Sequence, residues 1–283
     1  MTGILYLCAT PIGNLEDMTF RAIRILKEAD LIAAEDTRNS IRLLNHFEIQ
    51  TPMTSYHEYN KYVKGKKLVE KLLEGKNIAL ITDAGTPGIS DPGEELVRMC
   101  HENGIRVIAV PGAAACITAL TMSGLPTRRF AFEAFLPPEK KERERILVEL
   151  EKETRTIILY EAPHRLVKTL KLLEEHLGER DTAVCRELTK KHETLYRGTL
   201  SEAAAYYAST EPKGECVLVI EGKSQEEIDR EEQQKWCQMS IEDHMAYYIS
   251  QGADRKEAMK KTAQDRRVPK REIYNYLEKQ KNI

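Results

Sequence analysis

The sequence lacks long apolar runs and closely spaced cysteines. Its apolar stretches fall far short of the roughly 20 residues that cross a bilayer as a helix, and the first residues lack the basic start of a signal peptide. The six cysteines are scattered without a Cys-x-x-Cys pair, so they predict neither a zinc site nor a disulfide framework. We therefore expect a cytoplasmic protein with reduced thiols, no metal centre and no contact with membranes.

The sequence also lacks the common phosphate-binding loops. Its most glycine-rich segment, residues 82–93, contains neither Gly-Lys-Ser/Thr nor Gly-x-Gly-x-x-Gly. No lysine or arginine lies between Asn77 and Glu95, and Asp83 and Asp91 add negative charge. Such a loop is a poor site for phosphate and favours a neutral or cationic ligand. The alternative is an ordinary turn whose carboxylates only cap a helix and contact solvent.

The residues around this loop predict a strand followed by a helix. Ile78–Ile81 is a continuous apolar run, which is typical of a strand buried on both faces of a parallel sheet. Asp91 is a good N-cap, Pro92 suits the first helical position, and Glu94 completes a capping box, so we expect a helix that ends at Gly104. Loops at the carboxyl ends of parallel strands are where open α/β sheets bind ligands.

The order strand, loop, helix recurs along the chain and predicts an α/β fold class. Residues 1–125 are expected to form one doubly wound domain, with strands at residues 4–9, 31–34, 78–81 and 105–110. Residues 126–222 predict a second α/β domain with a mixed sheet, residues 223–239 an acidic linker with few large apolar side chains, and residues 240–283 a small helical module resembling a helix-turn-helix.

The C-terminal module is the basic part of the chain. Residues 251–283 contain ten lysines and arginines but five aspartates and glutamates, a local net charge of +5. Since the whole chain carries −2, residues 1–250 carry −7. We expect phosphate contacts from six basic residues: Lys260, Lys261, Arg266, Arg267, Lys270 and Arg271. A solvated helical appendage, or one that packs on a dimer, is the alternative.

Two charged clusters follow predicted strands. Glu35-Asp36-Thr37-Arg38 ends the strand at residues 31–34, a position that faces the ligand side of the sheet. The alternative is that Asp36 only caps the next helix and pairs with Arg38. In the second domain, Arg186 to Lys191 ends a strand in the same way.

Seven motifs in order resemble one family. They are ATPIGNLEDMTFRA, AEDTR, TDAGTPGISDPG, PGAAA with ALTMSGLP, FLPP, YEAPHR and RELTKKHE, and the resemblance covers essentially residues 3–222. In type and order these motifs resemble those of the ribosomal RNA small subunit methyltransferase I family, a class III methyltransferase family within the tetrapyrrole methylase superfamily. The helical tail also resembles that family's C-terminal module. Several long motifs in the right order are far more specific than any single motif.

The resemblance implies an enzyme that uses S-adenosyl-L-methionine to methylate the ribose 2′-oxygen of a cytidine in the decoding site of 16S ribosomal RNA. It also implies that the cofactor lies in a cleft between two α/β domains, that the substrate is the RNA of the small ribosomal subunit, and that the enzyme is a homodimer. A sulfonium nucleoside has no phosphates and suits an acidic, glycine-rich loop. Two alternatives remain open: a tetrapyrrole (corrinoid or porphyrin) methyltransferase of the same superfamily, and a non-catalytic RNA-binding protein.

The resemblance also implies site residues. Those expected to contact the cofactor are Ile12, Gly13, Gly85, Thr86, Ile89, Ser90, Ala114, Ala115, Tyr160 and Leu188. The family commonly has serine where this chain has Ala114, so the resemblance implies one hydroxyl contact to the cofactor fewer in this chain. Because a ribose hydroxyl is a weak acid, a nearby base would help the reaction. The candidates are Asp36, oriented by Arg38, and Lys190, paired with Glu187.

Overall fold

The computed structural model describes residues 2–281 and divides into two compact units. The α/β unit comprises residues up to 148 together with residues 155–221, and the helical unit comprises residues 149–154 and 222–283. The α/β unit holds both sheets.

The α/β unit contains ten strands. They are β1 (Ile4–Cys8), β2 (Leu31–Ala34), β3 (Met53–Ser55), β4 (Ile78–Ile81), β5 (Arg106–Val110), β6 (Phe130–Phe135), β7 (Thr156–Glu161), β8 (Asp181–Arg186), β9 (Thr194–Thr199) and β10 (Cys216–Ile220). The helices up to residue 221 are α1 (Phe20–Glu28), α2 (Thr37–His46), α3 (Lys61–Leu73), α4 (Gly93–Glu102), α5 (Ala115–Ser123), α6 (Lys140–Leu150), α7 (Leu166–Leu177) and α8 (Leu200–Ser209). Two short 3₁₀ helices lie at Leu15–Asp17 and Pro163–Arg165.

The first sheet is parallel throughout, with strand order β3-β2-β4-β1-β5. Its central strand β4 is buried along its whole length because helices cover both faces. Ala79 and Ile81 pack with residues of α1 and α2, whereas Ile78 and Leu80 pack with residues of α3 and α4. The doubly wound α/β domain predicted from the sequence is therefore confirmed.

The second sheet is mixed, with strand order β6-β7-β10-β8-β9. Only β6 and β7 pair in parallel, and the other neighbours are antiparallel. Because β10 runs antiparallel to β7, the start of β10 lies beside the end of β7: Cys216 pairs with Glu161 and Val217 with Tyr160. The start of one strand thus joins the end of another at the same edge of the sheet.

The helical unit contains four helices in residues 222–281. They are α9 (Gln225–Gln238), α10 (Ile241–Ser250), α11 (Arg255–Asp265) and α12 (Lys270–Lys281). The last three correspond to the predicted helical module. Their common core is built from Met245, Ala258, Met259, Ala263 and Ile273.

Residues 225–238 differ from the sequence expectation of a linker, because they form helix α9. A complete capping box starts it: Ser224 accepts from the Glu227 amide, and the Glu227 carboxylate accepts from the Ser224 amide. At its other end the Trp236 ring stacks on His244 with ring centroids 4.1 Å apart. Low apolar content was thus misread as lack of structure, since a solvent-exposed helix needs caps and helix-forming residues more than an apolar face. The proposed domain boundaries at residues 125 and 239 stay predictions.

Among residues 2–281, no helix combines the length and the apolar character required to cross a bilayer.

Candidate functional site

A cavity of about 360 Å³ lies within the α/β unit, where the two sheets present their loops. This volume falls in the range typical of small-molecule sites. The first sheet lines it with residues that follow β1, β2, β4 and β5, and the second sheet with residues at the ends of β6, β7 and β8 and the start of β10. The lining residues are Ile12, Glu35, Thr82, Ala84, Gly85, Thr86, Ile89, Ser90, Asp91, Ala114, Ala115, Cys116, Phe135, Tyr160, Glu161, Ala162, Pro163, Leu188, Glu215, Cys216 and Val217.

The loop after β4 is fixed by its own backbone. Gly85 forms an isolated antiparallel bridge with Thr10: each amide donates to the other carbonyl, at 2.9 and 3.1 Å. Gly85 adopts φ +84°, a left-handed conformation that glycine tolerates at little cost. The loop is thereby tied to the segment that follows β1. This brings two of the predicted cofactor-binding segments together.

Asp91 organises this loop in a way the sequence did not predict. Its carboxylate accepts hydrogen bonds from the amides of Gly88, Ile89 and Gly93 at 2.7–3.2 Å. Helix α4 starts at Gly93 with Pro92 as its N-cap, so the predicted capping box with Glu94 does not form. The prediction was wrong because a carboxylate in a glycine-rich turn finds more amide donors within the loop than at the helix start. Ser90 has φ +64° within the same turn.

Ala114 is the N-cap of helix α5 and has extended backbone angles, but its own side chain makes no capping hydrogen bond. The Tyr160 hydroxyl from the second sheet accepts instead from the Cys116 amide at 3.2 Å. Burial raises the pKa of Tyr160, so the phenol stays protonated. The Tyr160 ring also packs edge-on against Phe132 and Phe135, with centroids 4.9 and 5.6 Å away. Tyr160 thus links the second sheet to the first turn of α5.

Glu161 is a buried carboxylate in the cavity wall. The Ala162 amide donates to its Oε1 at 2.8 Å, and the Thr169 hydroxyl donates to its Oε2 at 2.5 Å. Arg165 Nε lies 3.4 Å from Oε1, so the charge is paired. These contacts hold the turn of Ala162 and Pro163 against the cavity. The YEAPHR motif therefore builds one wall of the site.

The loop after β8 packs on Gly13 from the first sheet. A Cβ atom on Gly13 would lie 3.0 Å from the Leu188 carbonyl oxygen and 2.8 Å from Thr189 Oγ1. Glu187 and Thr189, on either side of Leu188, both have left-handed backbones at φ +53° and +65°. Strained residues of this kind persist where the surroundings enforce them and cluster at ligand sites. Gly13 does not line the cavity, but because it has no side chain, the loop after β8 can approach closely and place Leu188 in the cavity wall.

Asp36 and Arg38 are held to each other outside the cavity wall. Asp36 caps α2 by accepting from the Arg38 amide at 2.8 Å, and the Arg38 guanidinium donates to both carboxylate oxygens at 2.7 and 3.1 Å. These hydrogen bonds lower the pKa of Asp36 to about 2. The alternative interpretation from the sequence, that Asp36 caps the next helix and pairs with Arg38, therefore describes this contact. The Arg38 side chain is largely exposed to solvent.

Lys190 lies between two carboxylates. Its ammonium is 3.0 Å from Glu187 Oε1 and 3.2 Å from Glu215 Oε2. These partners outweigh the effect of burial and raise the pKa of Lys190. The pKa of Glu187 is lowered by hydrogen bonds from Lys190 and the Glu215 amide, although burial opposes this. The cluster is therefore a network of charged groups at neutral pH.

Most of the predicted cofactor-binding residues meet in this cavity. Nine of the ten line it, and Gly13 supports it from behind. The four predicted catalytic residues, Asp36, Arg38, Glu187 and Lys190, are absent from its wall. Sequence reasoning missed Phe135 and Val217, because apolar strand residues carry no chemical signal, and did not single out Glu35 or Glu161 from their motifs.

The cavity wall is acidic. It contains four carboxylates, those of Glu35, Asp91, Glu161 and Glu215, and no lysine or arginine among the lining residues that the structure describes. Aromatic and aliphatic side chains from the second sheet supply the apolar surface. Such a wall suits a ligand that carries positive charge and an aromatic ring.

Comparison with known proteins identifies the family. Residues 4–204 match the family described as Tetrapyrrole (Corrin/Porphyrin) Methylases. The chain is also 53% identical over 273 residues to the ribosomal RNA small subunit methyltransferase I of Bacillus subtilis, which covers 96% of this chain and 93% of the relative. This chain belongs to the ribosomal RNA small subunit methyltransferase I family. The resemblance found in the sequence motifs is thereby confirmed.

Solved structures of more distant proteins share the fold of this family. A diphthine synthase aligns with a TM-score of 0.64 at 13% identity, covering 78% of this chain and 91% of the other. The uroporphyrin-III C-methyltransferase of Thermus thermophilus, crystallised with S-adenosyl homocysteine, aligns with a TM-score of 0.55 at 21% identity, covering 77% and 97%. At such identities these structures establish the class III methyltransferase fold alone.

Proposed function

We propose that this chain transfers a methyl group from S-adenosyl-L-methionine to the ribose 2′-oxygen of a cytidine in the decoding site of 16S ribosomal RNA. The observation that carries the proposal is the 53% identity, across 96% of the chain, to a protein named for small-subunit ribosomal RNA methylation. The superfamily's tetrapyrrole methyltransferases are the second candidate. The structural relative of that kind is 21% identical to this chain and shares its fold, whereas the ribosomal RNA relative is 53% identical.

The cavity fits the cofactor. Its apolar wall of Tyr160, Leu188 and Val217 suits an adenine ring, and the absence of lysine and arginine from the described lining residues leaves an acidic wall that tolerates a cationic cofactor. The loop of Gly85, with its left-handed backbone, brings main-chain atoms to the cavity surface without a side chain between. When bound, S-adenosyl-L-methionine supplies an electrophilic methyl group on a positively charged sulfur.

The chain's own residues would mainly position the two reacting groups. Alignment of a nucleophile with its target can contribute about 7–11 kcal/mol to lowering a barrier. Asp36 orients the guanidinium of Arg38, whose side chain is largely exposed, and such an arrangement suits contact with an RNA phosphate or ribose. Lys190 is held protonated by Glu187 and by Glu215, a residue of the cavity wall, and would attract the RNA backbone. We assign these residues to substrate binding.

Two measurements test the proposed function. Titration calorimetry with S-adenosyl-L-methionine should give a one-site isotherm, which a non-catalytic RNA-binding protein would not give. Methyl transfer should then be assayed with assembled 30S subunits, free 16S RNA and a corrinoid. Mass spectrometry of nuclease fragments, with resistance to alkaline cleavage as the sign of a 2′-O-methyl group, would locate the product. Transfer to the corrinoid and not to RNA would overturn the proposal.

We also propose a homodimer in the cytoplasm, as the family resemblance implies. Sedimentation equilibrium should give a mass close to twice 32.4 kDa. A monomer that is active on 30S subunits would contradict this part of the proposal without affecting the reaction.

A further inference from the structure

Glu35 occupies the place in the cavity that sequence reasoning had given to its neighbour Asp36. It follows β2 directly, and β2 lies beside β4 in the sheet, so the ends of these strands are adjacent. Glu35 lines the cavity together with Thr82 and Ala84 from the end of β4. Asp36, one residue further, turns away to cap α2.

The Glu35 carboxylate is held by one oxygen and free at the other. Its Oε2 accepts from the Thr82 hydroxyl at 2.6 Å and from the Asp83 amide at 3.4 Å. Within residues 2–281, its Oε1 accepts no hydrogen bond and neither oxygen pairs with a lysine or arginine. A carboxylate of this kind is oriented and still has an acceptor site for an incoming proton donor.

The other carboxylates of the cavity wall are committed to the protein. Asp91 accepts three loop amides, and Glu161 accepts an amide and a hydroxyl while it pairs with a guanidinium. Glu215 is paired with Lys190 and its side chain is 78% exposed.

The two bases suggested by the sequence are also unsuited to accept a proton. Asp36 is held as an anion by Arg38, with a pKa of about 2, which makes it a weak base. Lys190 has a raised pKa and already carries its proton between two carboxylates. A general base must be both unprotonated and within reach of the proton it removes.

We infer that Glu35 Oε1 accepts the proton of the ribose 2′-hydroxyl during methyl transfer, with Thr82 holding the carboxylate in position. The inference rests on the proposed function. The O–H bond breaks and its proton passes to Oε1. The oxygen's electron pair forms the new bond to the methyl carbon. The electron pair of the broken carbon–sulfur bond stays on sulfur, which loses its positive charge.

Glu35→Gln tests this inference, because it preserves the shape and the hydrogen bond from Thr82 while removing the base. We expect the single-turnover rate on 30S subunits to fall by about 10²–10⁴-fold. Dissociation constants for S-adenosyl-L-methionine and for 30S subunits should stay within about twofold of wild type. The residual rate should rise with pH, because hydroxide replaces the missing base; a purely structural defect would not give this profile.

Two further variants serve as comparisons. Asp36→Asn, on the adjacent residue, should lose less rate than Glu35→Gln, and any loss should accompany weaker binding to 30S subunits. Thr82→Val should lower the rate by a smaller factor than Glu35→Gln without changing cofactor affinity, as expected of a positioning residue. Melting temperatures establish that each variant is folded.

Several results would overturn the inference. Wild-type turnover by Glu35→Gln would exclude a catalytic role. A loss of cofactor affinity by tenfold or more would show that Glu35 binds the cofactor's ammonium group instead. If Glu35→Gln does not fold, Glu35→Asp replaces it: a wild-type rate from this shortened side chain would also exclude a positioned base. If the wild-type enzyme does not methylate RNA, the proposed function itself is refuted. This outcome differs from failure of the Glu35 inference, in which the wild-type enzyme is active and Glu35→Gln is equally active.

Discussion

At the scale of single residues, Ala114 is the N-cap of α5 but has no side-chain oxygen with which to cap it. Its extended backbone is the one an N-cap needs, and Ala114→Ser would place a hydroxyl within reach of the free amide at Ile117. We expect the free energy of unfolding to rise by about 1 kcal/mol. Affinity for S-adenosyl-L-methionine should rise as well, because the family's usual hydroxyl is restored. Thermal unfolding and calorimetry measure the two effects.

Ala115→Ser is the matched control for this prediction. It adds the same hydroxyl one residue later, inside the helix, where it cannot cap the first turn. Equal effects of the two serines on stability would contradict the capping argument.

Gly85 is a second residue whose backbone decides the site. Its φ of +84° is unfavourable for any β-branched side chain, while a Cβ there would meet Ile12 only at 3.4 Å. Gly85→Val should therefore destabilise the protein by about 1–3 kcal/mol through backbone strain, and it should distort the cavity wall. We expect cofactor affinity to fall at least tenfold in calorimetry.

Gly104→Val controls for strain alone. Gly104 also has a left-handed backbone, at φ +66°, but has open space around it and does not line the cavity. Its valine variant should lose stability and keep cofactor affinity. If Gly85→Val binds the cofactor like wild type in a folded protein, the site has been wrongly placed.

At the scale of elements, the sequence predicted those strands and helices that a local pattern of apolar and polar residues determines. The bounds of the strand Ile78–Ile81 were predicted to the residue, because a polar residue stands on each side of these four consecutive apolar residues. The edge strand Met53–Ser55 was not identified, since three half-buried residues carry no periodicity. Helix α9 was missed because low apolar content was given more weight than the Ser224-x-x-Glu227 capping box that starts it. Glu35 and Val217 meet in one cavity through sheet order, which no local pattern encodes.

The contact between Gly13 and the loop after β8 gives an element-scale prediction. In Gly13→Ala the new methyl group would lie 2.5 Å from Lys190 Cγ and 3.0 Å from the Leu188 carbonyl oxygen, so the loop must move. We expect a loss of about 1–3 kcal/mol in stability from overpacking and a larger relative loss in cofactor affinity. Calorimetry measures the affinity.

Gly178→Ala is the control for cofactor affinity: a Cβ there has no neighbour within 4 Å, and strain from its φ of +71° should lower stability without changing the cavity. Unchanged cofactor binding by Gly13→Ala would mean that the loop after β8 does not shape the site.

The packing of His244 in the helical unit predicts a pH dependence. His244 is fully buried; Arg266 Nε donates to its Nδ1 at 3.2 Å, and its Nε2 lies 3.1 Å from Asp265 Oδ2. The ring is therefore neutral with its proton on Nε2. Burial lowers the pKa of His244 below its ordinary value of 6.5, although Asp265 opposes this.

The sign of the pH effect follows from this lowered pKa. Below about pH 6.5 the unfolded chain binds a proton that the folded unit resists. The stabilisation is thus present above that pH and is lost as the pH falls through the folded-state pKa. Trp236, the chain's single tryptophan, stacks on His244, so its fluorescence should change as this stabilisation is lost. His244→Gln should remove the transition; a signal that stays flat from pH 7.5 to 5 in wild type would contradict it.

At the scale of the whole molecule, charge is divided between an acidic catalytic part and a basic tail. The structure separates the tail's six candidate cations into two groups. Arg266 donates to the carbonyls of Met239 and Ser240, Arg267 pairs with Asp229, and Lys261 pairs with Glu257. Lys260, Lys270 and Arg271 are exposed and form no ion pair within residues 2–281. Phosphate contacts are therefore expected from these last three residues.

Neutralising Lys260, Lys270 and Arg271 to glutamine should weaken RNA binding without altering cofactor affinity. Each lost phosphate contact removes about 0.7–0.9 from the slope of log affinity against log salt, so we expect the slope to flatten by about 2–3. Filter binding to 30S subunits over a salt series measures it. Replacing three exposed lysines of α3, at positions 66, 67 and 71, removes the same charge and is the control. If the two triple variants show the same salt slope, the tail makes no specific phosphate contacts. In that case Arg38 and Lys190 of the α/β unit must supply the RNA affinity.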